Sequence, residues 1–170
     1  MKRLFKVALV AVGMLFVGSY AQAQSKIGHI NFNALIDQMP ETKTIKTQLD
    51  AYQKQFVDQY TTMTQEFQTK GQAYEAGKAT MTDAIRTSKE TELQDLQKRI
   101  GDFQNDARAK VEAKSNELTK PLFTKARAAI SQVAKEKGYT YVLDSSQIDL
   151  IVSPDGDDLL APTKLKLGLK

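Results

Sequence analysis

From residue 45 onward, apolar side chains recur at helical steps. Ile45, Leu49, Tyr52, Phe56, Tyr60, Met63, Phe67 and Tyr74 are separated mainly by three and four positions, with Gln, Thr, Lys, Asp and Glu between them. This spacing predicts a helix. The stripe is narrow, which suits a coiled-coil seam better than the face of a globular core helix. Pro40 fits the first turn of such a helix, and no Pro follows from Glu41 to Lys120. The pattern falters around Gly71 and Gly77, each of which weakens a helix by about 1 kcal/mol relative to Ala. Thr80–Asp83 (T-M-T-D) then has the form of a capping box. Together they predict a turn near Gly77–Thr80; the alternative is one unbroken rod.

The stripe resumes with Ile85, Leu93, Leu96, Ile100, Phe103, Ala107, Val111 and Leu118. Two arms of about 35 residues, each roughly 50 Å long, can fold back as an antiparallel hairpin too thin to own a core, so it would protrude. Pro121 either kinks the second arm or restarts it. Leu122, Ala126, Ile130 and Val133 continue the periodicity. Lys135 and Lys137 favour a helix C-terminus, and Gly138 is a natural residue just beyond it.

Three segments have the period and composition of strands instead. Lys26–Phe32 carries Ile27, Ile30 and Phe32; Tyr139–Asp144 carries Tyr141, Val142 and Leu143; Ile148–Val152 follows, before a turn at Ser153–Asp158. A strand cannot satisfy its own backbone, and a hairpin returns the chain to where it began. The first segment is therefore the upstream partner of the second. The expected fold class is α+β: a long antiparallel helical hairpin (41–120) on a small β-rich body (24–40 and 121–170). A body that small is marginal alone, and joining strands from several chains would remedy this.

The first 23 residues change the charge. Lys2, Arg3 and Lys6, an apolar run and A-Q-A at Ala21–Ala23 form a bacterial secretory leader cleaved after Ala23, the alternative being an uncleaved anchor. Without them 21 Lys and Arg face 20 Asp and Glu, a net charge of +1 against +4 for the whole chain. Nucleic acid is therefore not an expected partner. The chain has no Cys, which excludes disulfides, thiol catalysis, cysteine–zinc sites and a lipidated N-terminal Cys.

No catalytic constellation accompanies the single histidine, His29, so an enzyme is not expected. Asp155, Asp157 and Asp158 lack the spacing and terminal Glu of a calcium loop and read as a solvated turn. No cofactor or metal is expected. Tyr52, Phe56, Tyr60, Met63, Phe67, Tyr74 and Met81 carry two readings: a seam within the hairpin, or an apolar lining for other chains.

The cleaved leader, K-I-G-H-I-N with F-N-A-L, a long polar hairpin, and K-G-Y-T-Y-V-L-D-S-S with I-D-L-I-V resemble the Skp/OmpH family of periplasmic chaperones. The resemblance spans essentially the whole mature chain. It implies a homotrimer whose helical arms enclose a cavity and hold unfolded outer-membrane proteins in the periplasm, without ATP or metal. Ile27, Ile30, Phe32, Tyr141, Val142 and Leu143 would then belong to the oligomerisation strands. One feature departs from the family: Thr62–Glu90 carries Lys70, Lys78, Arg86 and Lys89 against Glu66, Glu75, Asp83 and Glu90, a neutral span. The family's lipopolysaccharide-binding cluster is therefore not carried over, and weak contact with a membrane surface is left open. The rival readings are a coiled-coil envelope spacer or adaptor and an amphipathic membrane-surface protein. The second of these calls for a broader apolar face than this chain has.

Overall fold

Strands far apart in the sequence meet in the structure, a computed structural model that describes residues 25–169. The expected leader, at 1–23, lies outside the described residues. Strand β1 (Ile27–Ile30) runs parallel to β2 (Tyr141–Asp144), with Ile27 opposite Tyr141 and Ile30 opposite Asp144. Parallel neighbours need a crossover. Here the crossover comprises three helices.

Helix α1 (Phe32–Gln38) starts at Asn31, whose Oδ1 accepts from Ala34 N at 2.9 Å. Phe32 is thus the first residue of a helix and not, as expected, part of the strand. The Asn31 cap ends the strand at Ile30, two residues earlier than its apolar pattern implies. Helix α2 (Pro40–Gly77) begins with Pro at the position where a missing N–H costs nothing. Its 38 residues make it about 57 Å long.

The chain turns where the glycines predict. A short 3-10 turn, Lys78–Thr80, follows Gly77, and a Cβ at Gly77 would meet Met81 Cε at 2.8 Å. The cap of the next helix is Thr82 rather than Thr80. Thr82 Oγ1 accepts from Ile85 N at 3.4 Å, while the Thr80 hydroxyl donates to Gly77 O at 2.9 Å. Helix α3 (Asp83–Glu136) then runs for 54 residues, through Pro121 without a restart. Pro121 removes one backbone bond, but Leu122, Ala126, Ala129 and Val133 are all buried on one face, and that burial holds the helix across the gap. Gly138 closes it with φ 74°, and Tyr139 N donates to Ala134 O at 2.8 Å.

After β2 the expected strand at Ile148–Val152 does not form. Asp158 instead bridges to His29 on the other side of β1, Leu159 N donates to His29 O at 2.9 Å, and helix α4 (Leu160–Lys166) follows. A third strand needs a free edge to pair with, and within this chain Asp158 holds that edge of β1. The body is accordingly less β-rich than expected. Two four-residue strands pack with α1, α4 and the base of α3 around Ile30, Leu35, Met39, Leu122, Ala126, Val133, Ala134, Tyr139 and Leu159.

Candidate functional site

Helices α2 and α3 lie side by side in opposite directions. Glu41 meets Lys125 near the body, the Phe56 and Phe103 rings pack with centroids 6.1 Å apart, and Lys70 and Tyr74 reach Glu92 and Glu90 near the far turn. Between them a groove of 600 Å³ opens in the half nearer the body. Phe56, Val57, Tyr60, Phe103, Ala107 and Val111 give it apolar walls, and Gln53, Gln104, Arg108, Glu112, Ser115 and Asn116 complete its lining.

The seven aromatic and Met positions divide. Phe56 and Tyr60 line the groove, and Tyr52 stacks edge-on against Phe56 with centroids 5.1 Å apart. Met63 and Tyr74 are buried in the seam. Phe67 and Met81 are half-buried and lie outside the groove. Sequence reasoning passed over Val57, an exposed neighbour of the stripe, and treated Phe103, Ala107 and Val111 only as the returning seam. Their four-residue spacing was the available signal.

Among the strand positions, Ile30 is buried and Val142 half-buried, whereas Ile27, Tyr141 and Leu143 are exposed. Phe32 packs edge-on with Phe123 at 5.7 Å, under the Arg127 guanidinium at 5.8 Å.

The charges of the far turn are consumed locally. Lys70 bridges Glu66 and Glu92, Lys78 pairs with Glu75, Arg86 with Asp83 and Lys89 with Glu92. The hydrogen bond from Lys70, then that from Lys89, holds Glu92 down to about 2. Tyr74 donates to the Glu90 carboxylate, which together with burial raises its phenol. All four cations of Thr62–Glu90 are therefore paired, and no free basic cluster stands at this end among the described residues. Two of the three aspartates of 155–158 also have structural partners. Asp157 Oδ1 accepts from Tyr139 OH at 2.9 Å, and Asp158 Oδ1 accepts from Leu160 N at 2.8 Å. No cluster of three metal-ligating side chains occurs among the described residues, and no helix there is long and apolar enough to cross a membrane.

This architecture of a long helix pair on a small mixed body is that of a known family. The family model described as outer membrane protein (OmpH-like) matches residues 26–162, and the chain belongs to this family. It is 26% identical over 157 residues to the chaperone protein Skp of Photorhabdus luminescens, covering 90% of this chain and 92% of that protein. It is 23% identical over 142 residues to the chaperone protein Skp of Yersinia enterocolitica, covering 81% and 84%. A solved structure from Caulobacter crescentus, described as an OmpH-like outer membrane chaperone, shares the fold with a TM-score of 0.68 at 15% identity over 88% of each chain. The named relatives are chaperones and not enzymes.

Proposed function

We propose that this protein is a periplasmic holding chaperone that works as a homotrimer, receives unfolded outer-membrane proteins between its helical arms and keeps them from aggregating. The observation that carries this reading is the groove in the helix pair. Phe56, Val57, Tyr60, Phe103, Ala107 and Val111 present apolar surface that the chain leaves open to solvent. Such a surface gives many weak contacts of about 25 cal/mol per Å², enough to hold a client and weak enough to release it without ATP. Phe56 and Tyr60 are the foremost client contacts, with Tyr52, Phe67 and Met81 beside them; Met63 and Tyr74 serve chiefly to hold the arm together. The leader at 1–23 delivers the chain to the periplasm. Membership of a family whose named relatives are chaperones supports the reading.

The test is substitution in the groove. Val57→Asp and Tyr60→Gln are introduced together, and suppression of aggregation of a urea-diluted outer-membrane β-barrel is followed by light scattering, with helix content checked by circular dichroism. Loss of protection with helix content and oligomer intact is the expected result. Equal protection by the substituted form would overturn the groove as the holding surface, and failure of both forms to protect would move the envelope-spacer reading ahead. Because the far charges are already paired, protection should change little with added salt.

A further inference from the structure

The two walls of the groove between α2 and α3 differ. On α3 the lining repeats in pairs, four residues apart. Phe103, Ala107, Val111 and Ser115 are half-buried and lie toward the floor. Gln104, Arg108, Glu112 and Asn116, each one residue further on, are exposed and make a polar rim. On α2 the lining is Phe56, Val57 and Tyr60, with Gln53 beside them. The charges of the rim are not spent on each other. Lys98 with Asp102, and Asp106 with Lys110, pair across one turn of α3 at 2.7 and 2.8 Å. Arg108 and Glu112 have the same separation, yet neither has an ion-pair partner among the described residues.

The spacing of the rim has a chemical meaning. Its members stand about 6 Å apart along the helix axis. An extended chain repeats every two residues, about 6.8 Å, and along each edge every repeat presents one N–H and one C=O. Gln104 and Asn116 each carry a donor and an acceptor, Arg108 donates and Glu112 accepts, so the rim can meet both kinds of backbone group. Its three intervals span about 18 Å, the length of about five to six extended residues.

We propose that the groove takes one extended segment of a client, about six residues long and apolar at alternate positions. One backbone edge of the segment hydrogen-bonds along Gln104, Arg108, Glu112 and Asn116, and its apolar side chains lie on Phe56, Val57, Tyr60 and Phe103. That the occupant is a client rests on the reading of the preceding section. What the groove recognises is then strand periodicity and unpaired backbone, not a particular sequence. An unfolded outer-membrane β-barrel supplies both, since its strands alternate apolar and polar residues and their edges are unpaired before folding. A helical segment has already bonded its own N–H and C=O groups and would leave the rim unused. An anionic amphiphile would set its head beside Glu112 as well as Arg108.

The test uses fluorescent peptides of about eight residues, capped at both ends, with binding to the mature protein read by anisotropy. One peptide alternates Val and Phe with Ser and Thr; a second has the same composition with its apolar residues at helical spacing. The alternating peptide should bind at least about tenfold more tightly. It is then N-methylated either at all its apolar or at all its polar residues, which removes the donors of one edge at a time. One pattern should weaken binding at least about tenfold and the other less than about threefold, because only one edge meets the rim. Gln104→Ala with Asn116→Ala, both at exposed helix positions, should weaken the unmethylated peptide at least about fivefold, with helix content unchanged in circular dichroism. The same pair should leave the sensitive methylated peptide unaffected. Equal binding of the two spacings, equal effects of the two methylation patterns, or no effect of the Ala pair overturns the extended segment. So does a protein that protects the β-barrel yet binds no peptide. Each of these leaves the groove as the holding surface, which stands or falls with Val57→Asp and Tyr60→Gln; full protection by that pair overturns both readings.

Discussion

The base of the helix pair and its far end are held by different forces. At the base, α3 buries Leu122, Ala126, Ala129, Val133 and Ala134 beneath α1, α4 and the sheet, and Lys166 ties α4 back to Glu136 at 2.6 Å. Across the turnward half only Met63, Tyr74 and Leu96 are buried, and the partly exposed Lys70–Glu92 ion pair ties the two helices together there. Burial is non-directional and scales with area, whereas exposed pairs contribute about 1 kcal/mol or less each. One end therefore behaves as a fixed mount and the other as a structure that opens locally.

The sharpest way to break this comparison is in the mount. Leu35 is fully buried, and Leu35→Ala should cost about 2–5 kcal/mol and lower the midpoint of the whole protein in a denaturant titration. A loss under about 1 kcal/mol would show that the body does not carry the stability.

Leu96→Ala should cost less, about 2 kcal/mol, because two helices can close on a gap more easily than a multi-element core can. Its effect should stay local. Amide exchange is expected to be fastest across Gly71–Thr82 in the parent protein; the substitution should accelerate it there and leave Tyr141–Asp144 unchanged. Equal acceleration at both places would mean that the two ends unfold as one unit.

Acid should separate the ends further. Glu92 titrates at about 2 in the folded chain against an ordinary 4.5. A depressed carboxylate stabilises the folded state above its unfolded pKa, and that contribution fades as pH falls from 4.5 toward 2. Exchange near the turn should rise over this window, and Glu92→Gln should remove the part of the rise that Glu92 causes. An identical acid profile in the variant would place the sensitivity elsewhere.

The smallest effect is expected at Thr163, which is fully buried with its hydroxyl unpartnered among the described residues. Thr163→Val removes an unsatisfied polar group at nearly constant volume and should raise stability by about 1 kcal/mol. A loss instead would show that the hydroxyl has a partner in the assembled protein.

Much of the helix pair was legible because its signals are local. Pro40 opens α2 and Gly138 ends α3, each through a backbone property of that residue, and at Gly77 the missing side chain leaves room for Met81 in the turn. The cap at Thr82 was displaced by two residues because Thr80 and Thr82 are the same N-cap residue type, and only the path of the turn chooses between them. Helix α4 escaped notice because seven residues with a Pro at 162 give too short a period to read. The groove was half legible: Phe56 and Tyr60 belonged to the stripe, but whether a stripe residue fills a seam or borders a gap depends on the size of whatever faces it.

The sequence by itself determined where the long helices begin, turn and end, that their apolar stripe is narrow, and that strand-forming segments flank them, since propensity, capping and periodicity act within a few residues. The tertiary structure decided what those segments pair with. The same β-branched composition gives a strand at Tyr141–Asp144, along an edge of β1, and a loop at Ile148–Val152, whose Leu150 and Val152 cross the outer face of the sheet instead of running along an edge. A strand is completed by hydrogen bonds to a neighbour distant in sequence, and no local pattern records whether that neighbour's edge is free.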